Sequence, residues 1–167
     1  MSELIEEVRQ WNSPTIGAFL LYRFTKGYVE QHRDGEAPMA ILHFLAAAIL
    51  TSEKLKAPIS NMRANLQSYV RSFEDSRNTD IFLELQERTQ DRLTYTWSAI
   101  DVAVASGLLF WDADEARLYV RSGKTDVKYG HAPKPELKKD GEKAEIIGGW
   151  FAQHDIPTIL SYLKIVL

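Results

Sequence analysis

The sequence predicts a mainly α protein: a helical bundle with an embedded winged-helix-like unit, ordered helix, helix, β-hairpin, and C-terminal helices that pack back on the bundle. Three observations carry this. Apolar residues recur at helical spacing through the first part of the chain. From Thr79 to Val120 the grammar changes to two helices followed by two short strands, and from Glu145 a helical apolar face returns.

The first helix starts at Ser13-Pro14, with serine as N-cap and proline at the first helical position, where a missing N–H costs nothing. Ile16, Phe19, Leu20, Phe24, Gly27 and Tyr28 then line one buried face, and Asp34-Gly35 ends the element. Ala37 to Thr51 is apolar nearly all round, the mark of a helix at the centre of a bundle, and His43 within it reads as a hydrogen-bonded core histidine. Ser60 is expected to cap the next helix, whose stripe is Met62, Leu66, Tyr69, Val70 and Phe73, with Arg63, Asn65, Gln67 and Arg71 towards water.

A short helix near Asp80 to Gln90 precedes a second from Thr94 to Ser106, with Trp97, Ile100 and Val104 expected inward and Gly107 stopping it in the left-handed conformation. Leu108 to Trp111 and Arg117 to Val120 read as strands around the acidic turn Asp112-Ala113-Asp114-Glu115. In the last segment Ile146, Ile147, Trp150 and Phe151 share one helical face. Gly148 and Gly149 are poor residues for a helix interior, each costing about 1 kcal/mol against alanine, so close backbone approach to another element is expected there. A break at Asp155-Ile156-Pro157 leads to an apolar end, Ile165-Val166-Leu167, which must dock on the chain's own core or be covered by a partner. Trp150 and Phe151 are core anchors in this reading and also candidates for a partner interface.

The same residues carry a resemblance. The helix with Gly148, Trp150, Phe151 and Ala152, followed after a short turn by Thr158-Ile159-Leu160, resembles the middle component of three-component ABC systems. These bacterial conflict modules include the Lamassu-type anti-phage defence systems. At the other end, Asn12-Ser13-Pro14, Gly17-Ala18-Phe19, Leu20-Leu21-Tyr22 and Lys26-Gly27-Tyr28 are similar to the family's N-terminal pattern, in the same order and spacing. Gly149 stands where that helix commonly has a basic residue, and Lys164-Ile165-Val166-Leu167 replaces a G-V-R-P-like tail, so contacts made by those groups are not carried over. The resemblance implies a non-catalytic adaptor without cofactors. It would join an SMC-like ABC ATPase subunit to an effector subunit, often a nuclease, and meet DNA only weakly or through the complex.

Composition agrees with a soluble globular chain of 167 residues with net charge −3 and no cysteine, which excludes disulfides and cysteine-based metal sites. The acidic start Ser2 to Glu7 lacks the basic and apolar regions of a secretory signal, and the longest apolar run, Ala37 to Leu50, is too short to span a bilayer; a cytoplasmic protein without membrane contact is expected. Charge is uneven. Arg121, Lys124, Lys128, Lys134, Lys138, Lys139 and Lys143 outweigh Asp126, Glu136, Asp140 and Glu142, making this segment the candidate contact for DNA or an acidic partner.

The alternative function is a free-standing winged-helix DNA-binding regulator, and the residues argue against it. Between Thr94 and Ser106 the only charged side chain is Asp101, and the hairpin tip is acidic, so both elements would meet phosphates with nothing cationic or with like charge. Trp111, Asp112, Asp114 and Glu115 suit a protein partner better. No catalytic set emerges. Ser122-Gly123-Lys124-Thr125 lacks the leading glycine of a phosphate-binding loop, since Leu118 occupies that position; Ser161 to Lys164 has only the bare spacing of a serine acyl-enzyme; and His32, His43, His131 and His154 show no metal-ligand spacing. The chain is thus expected to divide into a bundle over residues 1–75, the winged-helix-like unit over 76–122, a basic loop over 123–143 and the C-terminal helices over 144–167, all within one compact domain.

Overall fold

Eight helices and a two-stranded antiparallel hairpin make up the described residues of the computed structural model, which are 12–61, 63–121 and 134–167. Helix α1, Pro14–Gln31, begins as expected, with the Ser13 side chain accepting from the Ile16 N–H. It is followed by α2, Ala40–Leu50; a single turn, α3, Glu53–Lys56; α4, Leu66–Asp75; α5, Ile81–Asp91; and α6, Leu93–Ala105. Gly107 ends α6 with a positive φ of 74°, and strands β1, Leu109–Asp112, and β2, Arg117–Val120, pair in register Leu109 with Val120 through Asp112 with Arg117. Helix α7, Pro135–Phe151, and α8, Ile156–Tyr162, complete the chain.

Helix α1 is the axis. On one side it meets α7 at backbone distance: a Cβ on Gly148 would run into the Phe24 carbonyl oxygen and lie 2.8 Å from the Tyr28 nitrogen, while one on Gly27 would strike the Glu145 backbone. This is the close approach that the mid-helix glycines predict. Glu145 bridges the same contact laterally, accepting from Arg23 Nε at 2.7 Å and lying 3.7 Å from Lys26 Nζ. On its other side α1 meets α6 through small residues, with Gly17 against Tyr95 and Ala99.

Two apolar clusters result. The larger packs Phe24, Tyr69, Phe73, Phe82, Ile147, Trp150 and Phe151 with the apolar face of α2 and Ile159 of α8. The smaller joins Ala18, Leu21, Phe44, Ala47, Ile100, Leu109 and Leu118. Both draw on α1 and α2, so the hairpin is built onto the bundle. Its stitching is explicit: Ala40 N–H donates to the Ala116 carbonyl at 2.8 Å, Leu118 N–H to Pro38 at 3.1 Å, and the Arg117 guanidinium to the Ala37 carbonyl.

His43 is fully buried between α1 and α2, with Nε2 2.8 Å from Thr25 Oγ1 and Nδ1 3.2 Å from the Met39 carbonyl, as a core histidine requires. Arg88 of α5 closes the other end of α2 by donating to the Ala48 and Thr51 carbonyls. The apolar chain end docks through Leu163, which is buried, and Ile165, which is partly so; Val166 is held by the Gln86 amide through both its N–H and its carbonyl, and its side chain and Leu167 remain exposed.

Three expectations are corrected. The helix expected from Ser60 begins at Leu66 instead, because the Asn65 side chain accepts from the Ser68 N–H at 2.8 Å and caps it there; Met62 lies outside the described residues. The stretch from Pro135 to Lys143, read as part of a basic loop, is the first half of α7, where proline at the first turn starts the helix and Gly141 seats it on Phe19 and Arg23. Trp97, expected inward, is 48% exposed, since the buried stripe of α6 is Thr96, Ala99, Ile100 and Ala103.

Gly148→Ala is expected to lower the unfolding free energy by about 3 kcal/mol, because the added methyl meets backbone that cannot yield. Gly35→Ala, in open space but at a φ of 66°, is expected to cost about 1 kcal/mol; urea titration of both variants makes the comparison. Burial lowers the His43 pKa to about 4 from 6.5. The unfolded chain therefore binds this proton first as pH falls, so stability should decline below about pH 6.5 and flatten near pH 4, with about 2 kcal/mol lost between pH 7 and 5. A His43→Gln variant, titrated with urea at both values, should lack that increment.

Candidate functional site

The hairpin tip is ordered by its own acids. Asp112 Oδ1 accepts from the Asp114 and Glu115 N–H groups at 3.0 and 3.3 Å, closing a turn in which Ala116 takes a positive φ of 53°. Glu115 is held between Arg117, at 3.5 Å, and the Tyr119 hydroxyl, at 3.3 Å. These bonds present the Asp114 side chain to solvent at the tip, where it is exposed.

Trp111, the large residue expected to need cover, is partly buried, and Trp97 supplies that cover: the two rings meet edge to face with centroids 6.4 Å apart. Trp97 in turn stands edge to face on Phe44 of α2 at 5.0 Å. The three rings form a ladder that starts in the core at Phe44, and its middle rung, Trp97, is the one exposed against expectation. One signal for this lay in the small residues Ala99 and Ala103 at four-residue spacing, which mark the tight face of α6 and turn Trp97 to its rim. Beside it the outward positions of α6, at intervals of four, are Leu93, Trp97, Asp101 and Ala105, all exposed. On the outer face of the hairpin Phe110 and Tyr119 form an exposed cross-strand pair.

Trp150 and Phe151 are 1% and 0% exposed, so both are core side chains of this chain. Trp150 packs on Tyr69 with centroids 5.6 Å apart, and Phe151 meets Phe24 edge to face at 5.7 Å. Trp150 Nε1 is the buried side-chain polar atom without a hydrogen-bond partner among the described residues.

The basic candidates among the described residues differ in their surroundings. Lys124 and Lys128 lie outside the described residues, as do Ser122 and His131. Arg121 is exposed at the end of β2, while Lys134, Lys138 and Lys139 are exposed at and after the start of α7. Lys143 is turned inward, donating to the Lys56 carbonyl at 3.1 Å, and burial lowers its pKa. Beneath it Lys56, itself buried, pairs with Asp140 at 3.0 Å and Glu53 at 2.9 Å. Lys143 therefore serves the packing of α3 on α7.

His32, His154, Asp155 and Lys164 also have local duties. His32 Nδ1 accepts from the Asp34 and Glu36 N–H groups after α1. Asp155 caps α8 through the Thr158 N–H, and His154 packs on the Tyr162 ring. Lys164 reaches Glu74 at 3.5 Å and the Phe82 ring, away from any role with Ser161. Among the described residues no group of three or more histidine or acidic side chains is placed to hold a metal ion, and no helix is long and apolar enough to cross a membrane.

The surface of α6 and the hairpin is thus aromatic and acidic, and a ladder of three rings joins it to Phe44 of α2. Comparison with known sequences places the whole of residues 1–167 under the family described as ABC-three component (ABC-3C) system Middle Component 3. No curated protein and no solved structure matches the chain.

Proposed function

The chain belongs to the Middle Component 3 family of ABC-three component systems, and from that premise we propose that it is the non-catalytic adaptor of such a system. In this reading it acts in the cytoplasm, bound to an SMC-like ABC ATPase subunit and to an effector subunit, often a nuclease. It passes the ATPase's response to foreign DNA on to the effector, as part of anti-phage defence of the Lamassu kind. Family membership is the observation that carries the reading.

The surface chemistry supports it. Coupling two subunits requires faces whose affinity differs between states of the assembly, and it requires no nucleophile. The α6 and hairpin surface offers aromatic area with acidic neighbours, suited to protein contact and ill suited to phosphates. Arg121, Lys138 and Lys139 are exposed and could touch DNA or acidic partner residues when an assembly holds them close. An isolated regulator would instead need cations on the outward face of α6, where Asp101 is the charged residue.

Co-expression with the genes on either side, followed by size-exclusion chromatography, should yield a complex containing this chain and the SMC-like subunit. Elution of the chain alone beside an intact SMC-like neighbour would overturn the adaptor reading. The isolated chain should not hydrolyse ATP, and at about 1 μM and physiological salt it should not shift a duplex from its own promoter.

A further inference from the structure

We infer that the outward stripe of α6, together with Trp111, is a docking surface for a partner-protein segment that carries an apolar anchor flanked by lysine or arginine. The inference rests on the adaptor reading and deepens it by naming the chemistry of one contact.

Three features point to that occupant. Trp97 exposes about half of its surface while Phe44 and Trp111 fix the ring from two sides, so its free face is presented without needing to be ordered on binding. Leu93 one turn before it, exposed as well, extends the apolar strip. Charge then selects the flanks of the partner. From Leu93 to Ala116 the chain has four acids, Asp101, Asp112, Asp114 and Glu115, and no lysine or arginine.

Of these acids, Asp112 is engaged in its turn and Glu115 with Arg117 and Tyr119. Asp101, one turn from Trp97, and Asp114, at the tip, have no ion-pair partner among the described residues. A cationic side chain laid over the Trp97 face gains from the ring quadrupole and from the Asp101 carboxylate together. A nucleic-acid backbone would gain nothing from the rings that the carboxylates did not oppose.

The test uses the full chain and each of the two partner subunits encoded beside it, with affinity measured by calorimetry. Trp97→Ala is expected to weaken binding to one of them by about tenfold or more, and Asp101→Lys with Asp114→Lys to weaken the same interaction. Wild-type affinity should fall between about 0.1 and about 0.5 M salt, with a smaller fall in the charge-reversed variant. Because Asp101 and Asp114 are surface residues, the double variant keeps the test valid where Trp97→Ala disturbs Phe44; circular dichroism and urea midpoints check folding.

Undiminished binding by both folded variants, with the wild type bound normally, would overturn the docking surface and leave the adaptor reading intact. A wild-type chain that binds neither subunit would overturn the adaptor reading first. Variants that change only self-association on light scattering would assign the surface to a second copy, and loss of duplex binding in Trp97→Ala would assign it to DNA; either result overturns the inference.

Discussion

The contact between α1 and α7 at Gly27 and Gly148 sets the terms for the rest of the structure. With no Cβ at either position the two backbones meet directly, and the helices are too close there for any side chain to stand between them. Such crossings depend on dispersion and on weak Cα–H contacts to carbonyl oxygens, both of which weaken steeply once a gap of about 1 Å opens. The large rings are arranged around this point. Phe24 turns one edge contact to Phe151 and another to His43, so the glycine crossing is tied through a single phenylalanine to both α7 and α2. Glu145, held by Arg23 and near Lys26, limits rotation of one helix about the other.

A second constraint acts on the opposite side of α1. There Gly17 and Ala18 meet Tyr95, Ala99 and Ala103, and small residues on both helices leave no volume for an indole. Trp97 is displaced to the rim by this economy of space. Its partial exposure is therefore a product of tight packing nearby, and the same packing keeps the ring in one place. Of the acids on this side, Glu115 is met by Arg117, whose guanidinium is also occupied by Glu36 and the Ala37 carbonyl, which leaves Asp101 and Asp114 without an ion-pair partner among the described residues.

Much of this was legible in the chain. Ser13-Pro14 marked a helix start because capping is local chemistry; His43 announced a satisfied core histidine because an all-apolar helix has no other place for one; Gly107 and the acidic turn marked the end of α6 and the hairpin. The mid-helix Gly148 signalled backbone approach, although its counterpart Gly27 became evident only in three dimensions. The failures share a cause. Ser60 and Asn65 are both competent caps, and the choice between them was made by where Leu66, Tyr69 and Phe73 had to meet the core. Lys143 looked solvated because the carbonyls that receive it come from α3 and the residue after it, some 86 positions earlier. Trp97 shares a helical face with Ile100 and Val104 in the sequence, but the decisive information is the absence of bulk at Ala99 and Ala103.

The stitching of the hairpin to the residues before α2 has a mechanical consequence. Ala116, at the last position of the turn, shares a hydrogen bond with Ala40, the first residue of α2, and Leu118 shares another with Pro38. One helical turn further on, His43 and Phe44 reach Thr25 on α1 and Trp97 on α6. A load applied at the hairpin tip would therefore reach the start of the most deeply buried helix through these hydrogen bonds. The tip behaves as the handle of a short rigid lever whose other arm is the core itself.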